Sequence, residues 1–239
     1  MSRSRLDRRH FLAYGGILGV GLTRFSGLAL GAVCQTTPSQ TEGPFYPVTF
    51  PSDSDADLTI VRGRAVAAKG SLVVVSGVVK DTACNPIKGA IVEIWQACAN
   101  GRYNDDRDTN PLPRDPDFQG WGRVATNERG EYRFTTIKPG AYPTDPNDPN
   151  GWIRPPHIHF KVRATAAPTL ITQMYFAGEP LNDRDEILND LRRQVGDDAA
   201  NVVIVSFTGT GTSAVDPLVG RFDLTVGARL DPRVTPFLD

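Results

Sequence analysis

Leu72-Val73-Val74-Val75-Ser76-Gly77-Val78-Val79-Lys80, followed across the turn residues of Asp81–Lys88 by Ala90-Ile91-Val92-Glu93-Ile94-Trp95-Gln96-Ala97, decides the fold. Both runs are rich in β-branched residues, which suit a pleated, half-buried surface. In the second, the two-residue alternation of a strand turns Ile91, Glu93 and Trp95 to one face. Outward from this pair, Gly130–Ile137, His157–Arg163, Leu170–Phe176, Val202–Phe207 and Gly220–Val226 read as further strands. Asp183–Val195 has the acidic start and basic end of one short helix. Two long loops, Asn100–Gly122 and Lys138–Pro156, are rich in Asp, Pro and Gly, and loops of that size are more often functional than decorative. Strands at this spacing, joined by polar loops, predict an all-β fold: a β-sandwich with long active-site loops and one short helix. No internal repeat and no second globular domain is evident.

The chain has 239 residues, 40% apolar and 22% charged, which is ordinary for a globular protein and unlike a disordered or membrane one. Its formal net charge is −1, with no Lys/Arg run in the body of the chain, so nothing points to a nucleic-acid partner. The first 32 residues read differently. A basic start with the pair Arg8-Arg9, then Phe11-Leu12, leads into an apolar Gly/Ala/Leu stretch and a small-residue end. That layout predicts a twin-arginine-type signal peptide over 1–32, and the apolar run is too short for an anchoring helix. It implies a periplasmic or secreted protein, free of the membrane after cleavage, with a mature net charge of −5 once five Arg and one Asp are removed. Residues 33–70, rich in Thr, Ser and Pro up to Asp57, read as an N-terminal arm, and 71–239 as the β-sandwich domain.

Cys34, Cys84 and Cys98 show no Cys-x-x-Cys spacing, which argues against zinc and thioredoxin chemistry. One disulfide and one leftover thiol suit an exported chain. Which pair forms stays open, although Cys84 and Cys98 bracket a strand that would hold them apart.

Outside the leader there are two histidines, both in Arg154-Pro155-Pro156-His157-Ile158-His159-Phe160. On a strand, positions i and i+2 share a face, so His157 and His159 present two imidazoles side by side, a geometry suited to one metal ion. No third mature His and no closely following Glu completes a cupin or 2-His-1-carboxylate set. Phenolate is the remaining hard donor, and with a free pKa of about 10 it calls for a strongly Lewis-acidic ion such as Fe(III). Tyr103 and Tyr142 stand where strands give way to the long loops, whereas Tyr132 and Tyr175 lie inside strands as core or sheet-face aromatics.

These stretches, with Gly101-Arg102-Tyr103, Pro139-Gly140-Ala141-Tyr142-Pro143 and Leu170-Ile171-Thr172-Gln173-Met174-Tyr175-Phe176, resemble the intradiol ring-cleavage dioxygenases, nearest the protocatechuate 3,4-dioxygenase branch. The resemblance runs from about Thr41 to Glu179 with its motifs in order. It implies Fe(III) held by Tyr103, Tyr142, His157 and His159, with Arg154 and Gln173 beside the substrate. It also implies that Tyr142 leaves the iron when the diol binds and takes up a substrate proton, while Tyr103 stays bound. The partners would be a catechol-type or protocatechuate-like diol and O2, the product a cis,cis-muconate-type diacid, and a homo-oligomer would follow the family's habit of assembling. The arm around Thr37–Tyr46 resembles a segment that reaches the pocket from the family's other subunit type; here it precedes the iron motif in one chain, so a single subunit type would suffice.

Two rival readings suit the same residues: a non-catalytic secreted transthyretin-like β-sandwich binding module, and a Cu or Fe(II) oxygenase using only His157 and His159. Arg133 and Arg163, on strands near the site in sequence, have a facing that the sequence leaves open.

Overall fold

The computed structural model describes residues 33–148, 150–165 and 167–227. The expected leader over 1–32 and the tail after Leu230 lie outside the described residues. In chain order the strands are β1 (Leu72–Lys80), β2 (Ile91–Trp95), β3 (Trp121–Ala125), β4 (Glu131–Ile137), β5 (Tyr142–Pro143), β6 (Ile153–Arg154), β7 (His157–Arg163), β8 (Leu170–Phe176), β9 (Ile204–Val205), β10 (Phe207–Thr208), β11 (Leu218–Arg221) and β12 (Leu224–Thr225). Ten form two five-stranded sheets, and β5 and β6 form a separate hairpin.

In the first sheet β1 pairs antiparallel with β4 on one side. On its other side β1 pairs parallel with β11 along its first half and with β12 along its second. The handover occurs at Phe222-Asp223, where the Phe222 amide donates to Ser76 O and the Val78 amide donates to the Asp223 carboxylate. Gly77 makes this possible, because a Cβ there would stand 1.9 Å from the Phe222 carbonyl oxygen. The second sheet has the order β3-β2-β7-β8-β9. Its inward side chains Val92, Ile94, Ile158, Phe160, Val162 and Met174 meet Val73, Val75, Val79 and Phe134 of the first sheet in one hydrophobic cluster.

In the two five-stranded sheets and the helices the sequence reading departs from the structure at four places. Trp121–Ala125, where the sequence shows a loop end and no strand, is the edge strand β3, paired only to β2; Gly122 and Arg123 break its alternation. The expected strand Val202–Phe207 is a 3-10 turn followed by β9 and β10, which belong to different sheets. The expected strand Gly220–Val226 is broken by the Phe222 handover. In place of one helix from Asp183 there are two, α1 (Glu186–Val195) and α2 (Asp197–Ala200). Helix α1 starts later because Asp185 is its N-cap, accepting from the Leu188 amide. It stops at Gly196, whose φ of 82° breaks the helix before the chain turns again.

The Cys34–Cys84 disulfide fastens residue 34 to the connection between β1 and β2, and Cys98 is a free, buried thiol. From Cys34 the chain runs extended, its amides at Thr37 and Gln40 donating to Thr225 and Ile171. Further on, Leu58 is fully buried in the core. Among the described residues no helix is long and apolar enough to cross a membrane.

Candidate active site

The period of two that sends Val92 and Ile94 inward sends Glu93 and Trp95 outward, and on β7 and β8 it sends His157, His159, Gln173 and Tyr175 outward. The register makes them neighbours: Trp95 pairs with His159, His159 with Gln173, and His157 with Tyr175. None of these outward residues is more than 3% exposed, because the arm and the two long loops roof this end of the sheet.

Two close backbone approaches bring the tyrosines over the histidines. Gly101 (φ 78°) lies where a Cβ would be 2.3 Å from Ala141 O, and Gly140 lies where one would be 2.4 Å from Ala99 O. The loops carrying Tyr103 and Tyr142 therefore interlock through two glycines. Asp108 accepts from the Tyr103 amide at 2.6 Å and so fixes the first loop. In the β5–β6 hairpin Tyr142 pairs directly with Arg154, so Tyr142 lies in a short strand rather than in open loop.

Four donors converge as a result. Tyr103 OH lies 3.4 Å from Tyr142 OH, 3.5 Å from His157 Nε2 and 3.2 Å from His159 Nε2, and Tyr142 OH lies 3.4 Å from His157 Nε2. The His157 Nδ1–H donates to Pro155 O at 2.7 Å, which leaves Nε2 with its lone pair toward the phenols. His159 stacks on Trp95, with centroids 4.7 Å apart.

Burial, helped by the Arg154 charge, pushes both imidazoles well below their ordinary pKa, so both are neutral with lone pairs available. Burial also raises both phenols, Tyr103 the more strongly with Tyr142 beside it, while Arg154 works in the opposite direction on Tyr142. Among the described residues no three His, Cys, Asp or Glu gather as a metal site, so an ion held here needs the phenols. The donor set fits one. Ligands about 2.0–2.2 Å from a shared ion stand roughly 3.3–3.6 Å apart at tetrahedral angles, and the four contacts measure 3.2–3.5 Å.

Arg154 lies beside this cluster. Its Nε donates to Asp185 at 2.6 Å and its Nη2 to Gln173 Oε1 at 2.6 Å and Tyr175 OH at 3.3 Å. Burial opposes its charge, but the neighbouring phenols and Asp185 outweigh that and raise its pKa. Asp185 thus caps α1 and anchors Arg154 at once. On the arm side, Gln173 Nε2 donates to Thr41 O, Tyr175 OH donates to Gln40 Oε1, and Gly43 lies against the His159 ring.

The six residues singled out from the sequence, Tyr103, Tyr142, Arg154, His157, His159 and Gln173, are thus gathered in one place. Asp185, Tyr175, Trp95 and Gln40 were not foreseen as part of it. Tyr175 and Trp95 share the strand face of the histidines and could have been found by extending the alternation. Gln40 lies in the arm Thr37–Tyr46, whose resemblance already brings it toward the pocket without singling out this residue, whereas Asp185 has no local signal. Of the two arginines left open, Arg133 lies exposed on β4 in the other sheet. Arg163 lies on the site's face but four residues down β7 from His159, bound to the buried Glu93 at 3.0 Å.

The Dioxygenase_C family profile, described as "Dioxygenase", matches residues 41–214. The protocatechuate 3,4-dioxygenase beta chain of Burkholderia cepacia is 40% identical over 182 residues, 76% of this chain and 68% of that one. The 6-chlorohydroxyquinol 1,2-dioxygenase of Cupriavidus pinatubonensis is 29% identical over 202 residues, 80% and 68% of the two chains. Among solved structures, an intradiol ring-cleavage dioxygenase from Tetranychus urticae superposes with a TM-score of 0.60 at 25% identity, over 81% of this chain and 95% of that one. The chain belongs to the intradiol ring-cleaving dioxygenases, a family of oxidoreductases, close to the protocatechuate branch. The non-catalytic binding-module reading is thereby set aside.

Proposed function

We propose that the chain is a non-haem Fe(III) enzyme that cleaves a catechol-type diol, protocatechuate or catechol-like, between its two hydroxyl-bearing carbons. Both atoms of O2 enter the product, a cis,cis-muconate-type diacid. The observation that carries the reading is the convergence of Tyr103, Tyr142, His157 and His159, whose donor atoms are linked by four contacts of 3.2–3.5 Å, three of these side chains being buried and Tyr142 half-buried. These residues would hold the iron, which, when bound, supplies Lewis acidity and draws electron density from the diolate so that a ring carbon reacts with O2.

The residues divide the remaining work by position. Tyr103 is 3% exposed, with Phe45 against it at 4.6 Å, and serves as a fixed donor. Tyr142 is half-buried, more exposed than Tyr103, and pairs with Arg154, so it is the phenolate placed to exchange with an entering diol and accept its hydroxyl proton. The two neutral imidazoles bind without a proton having to leave them. Arg154, held rigid by Asp185, offers a positive guanidinium where negative charge grows on the ring. Gln173, fixed by Arg154 and by Thr41 O, orients the substrate side of the pocket.

Residues 1–32 are proposed as a twin-arginine leader, 33–70 as the arm and 71–239 as the catalytic domain, with the mature enzyme periplasmic or secreted. Disulfide bonding of Cys34 to Cys84 supports an oxidising compartment. The test of the chemistry is the visible spectrum of the purified protein, before and after anaerobic addition of catechol or protocatechuate. An intense tyrosinate-to-Fe(III) band that shifts with the diol is expected. A protein that stays colourless after iron loading, or a Tyr103→Phe variant with full iron and full ring cleavage, would overturn the assignment.

A further inference from the structure

The chemistry above makes no use of the Cys34–Cys84 disulfide, yet this bond fastens the segment that roofs the site. Between residues 34 and 43 only Thr37 is buried, so this stretch has no apolar side chain sunk into the core. Its amides donate to the sandwich at points three residues apart, Cys34 N–H to Thr82 O, Thr37 N–H to Thr225 O and Gln40 N–H to Ile171 O, with the Thr225 amide returning a bond to Thr37 Oγ1, rather than along a ladder. At its far end a polar seat takes over. Glu42 pairs with Lys161, Tyr46 donates to the buried Glu93, and the Lys161 ammonium lies over the Tyr46 ring at 3.9 Å. The stretch is thus strung between a covalent anchor and this seat.

What it touches between these anchors is the functional face. Thr172 Oγ1 donates to Pro38 O at 2.8 Å, and Gln40 Nε2 donates to Gln173 O at 3.1 Å. Tyr175 OH donates to Gln40 Oε1 at 3.0 Å, and Gln173 Nε2 donates to Thr41 O at 3.1 Å. At Gly43 a Cβ would stand 3.3 Å from His159 Cε1, so backbone lies directly on that ring. Small slips of the arm therefore reach Gln173, Tyr175 and His159 together.

We infer that Cys34 and Cys84 are positioning residues: their disulfide is a staple that holds residues 37–43 in the register that orients Gln173 and confines His159. The inference rests on the reading of this face as the catalytic site. A stretch with few backbone bonds and no buried apolar side chain of its own samples detached states readily. A covalent end-point removes most of those states by limiting how far the segment can stray.

The test compares the wild-type full chain with the Cys34→Ser/Cys84→Ser double variant. Amide hydrogen exchange, run on metal-free protein, is expected to quicken at least tenfold at Thr37 and Gln40 while the β1 amides keep their rates. In the iron-loaded enzymes, KM for catechol or protocatechuate is expected to rise at least fivefold with kcat within twofold. Unchanged exchange at Thr37 and Gln40 would overturn the staple, and faster exchange with an unchanged KM would reduce the disulfide to a stability element. If the variant does not fold, metal-free wild-type protein is reduced with dithiothreitol, which leaves two thiols on the chain and becomes a cyclic disulfide; exchange is read on this form, and KM after the dithiol has been removed and Fe(III) added. Should no form cleave any diol, the functional reading fails, while the exchange rates still decide whether the disulfide holds the arm.

Discussion

On β2, β7 and β8 the inward side chains Val92, Ile94, Ile158, Phe160, Val162 and Met174 are 0% exposed, and the outward Trp95, His157, His159, Gln173 and Tyr175 are almost as well shielded, at no more than 3%. The two sets sit on the same strands and differ in what burial does for them. Each inward side chain stabilises the fold by about 1.5–3 kcal/mol through removal of apolar surface from water. Each outward polar group loses hydration and must recover it from a partner. Gln173, Tyr175 and His157 do so through specific hydrogen bonds, whereas His159 Nδ1 and Trp95 Nε1 are buried without one. The inner face is buried by its own hydrophobicity; the outer face is buried by an arm and two loops laid over it.

That contrast can be broken residue by residue. The largest effect is expected on the outer face for activity: His157→Ala should lower ring cleavage by at least about a thousandfold, roughly 4 kcal/mol of barrier, while thermal melting shifts little. A large loss of folding stability without a specific loss of activity would mean that His157 is a structural residue. On the inner face, Phe160→Ala should cost about 3–5 kcal/mol of folding stability. Turnover per folded molecule should hold, measured by denaturant titration alongside kinetics.

Asp185→Ala crosses the divide. It leaves the buried Arg154 charge without its carboxylate, expected to cost about 3–5 kcal/mol, and removes the α1 cap, about 1 kcal/mol more. Both stability and kcat should fall together; loss of one alone would show that Arg154 does not depend on this pairing. A smaller effect is expected for Tyr46→Phe, which removes one hydrogen bond to Glu93 and should cost about 0.5–1.5 kcal/mol, read by chemical denaturation.

The smallest effect lies away from the second sheet, at the handover of the first. Burial opposes ionisation of Asp223, but Lys80, the Val78 amide and Arg221 outweigh it and hold its pKa below the ordinary value. A carboxyl lowered in the folded state contributes stability that is present above its unfolded pKa, about 3.9, and is lost as pH falls through the lower folded value. Asp223→Asn should flatten the acid limb of the stability curve in that window. An acid limb identical to wild type would remove Asp223 from the account.

Strands with an unbroken local pattern were legible. Leu72–Lys80 is β1 to the residue, and β4, β7 and β8 fall within a residue of their sequence limits. The pairing of His157 with His159 on one face followed from the same period. The edge strand at 121–125 is not legible, and although strand is expected over 202–207 and 220–226, the breaks that divide these stretches are not, because long-range partners decide them rather than local alternation.

By itself the sequence determined which side chains share a face and which chemistry they carry, since a two-residue period and the donor atoms of His, Tyr and Arg are local properties. The tertiary structure alone decided that Gly101 and Gly140 interlock the two tyrosine loops, that Cys34 joins Cys84, and that Asp185 and Gln40 reach Arg154 and Tyr175. Each of these is a contact between segments far apart in the chain, and such contacts depend on register and chain path, which no local pattern encodes.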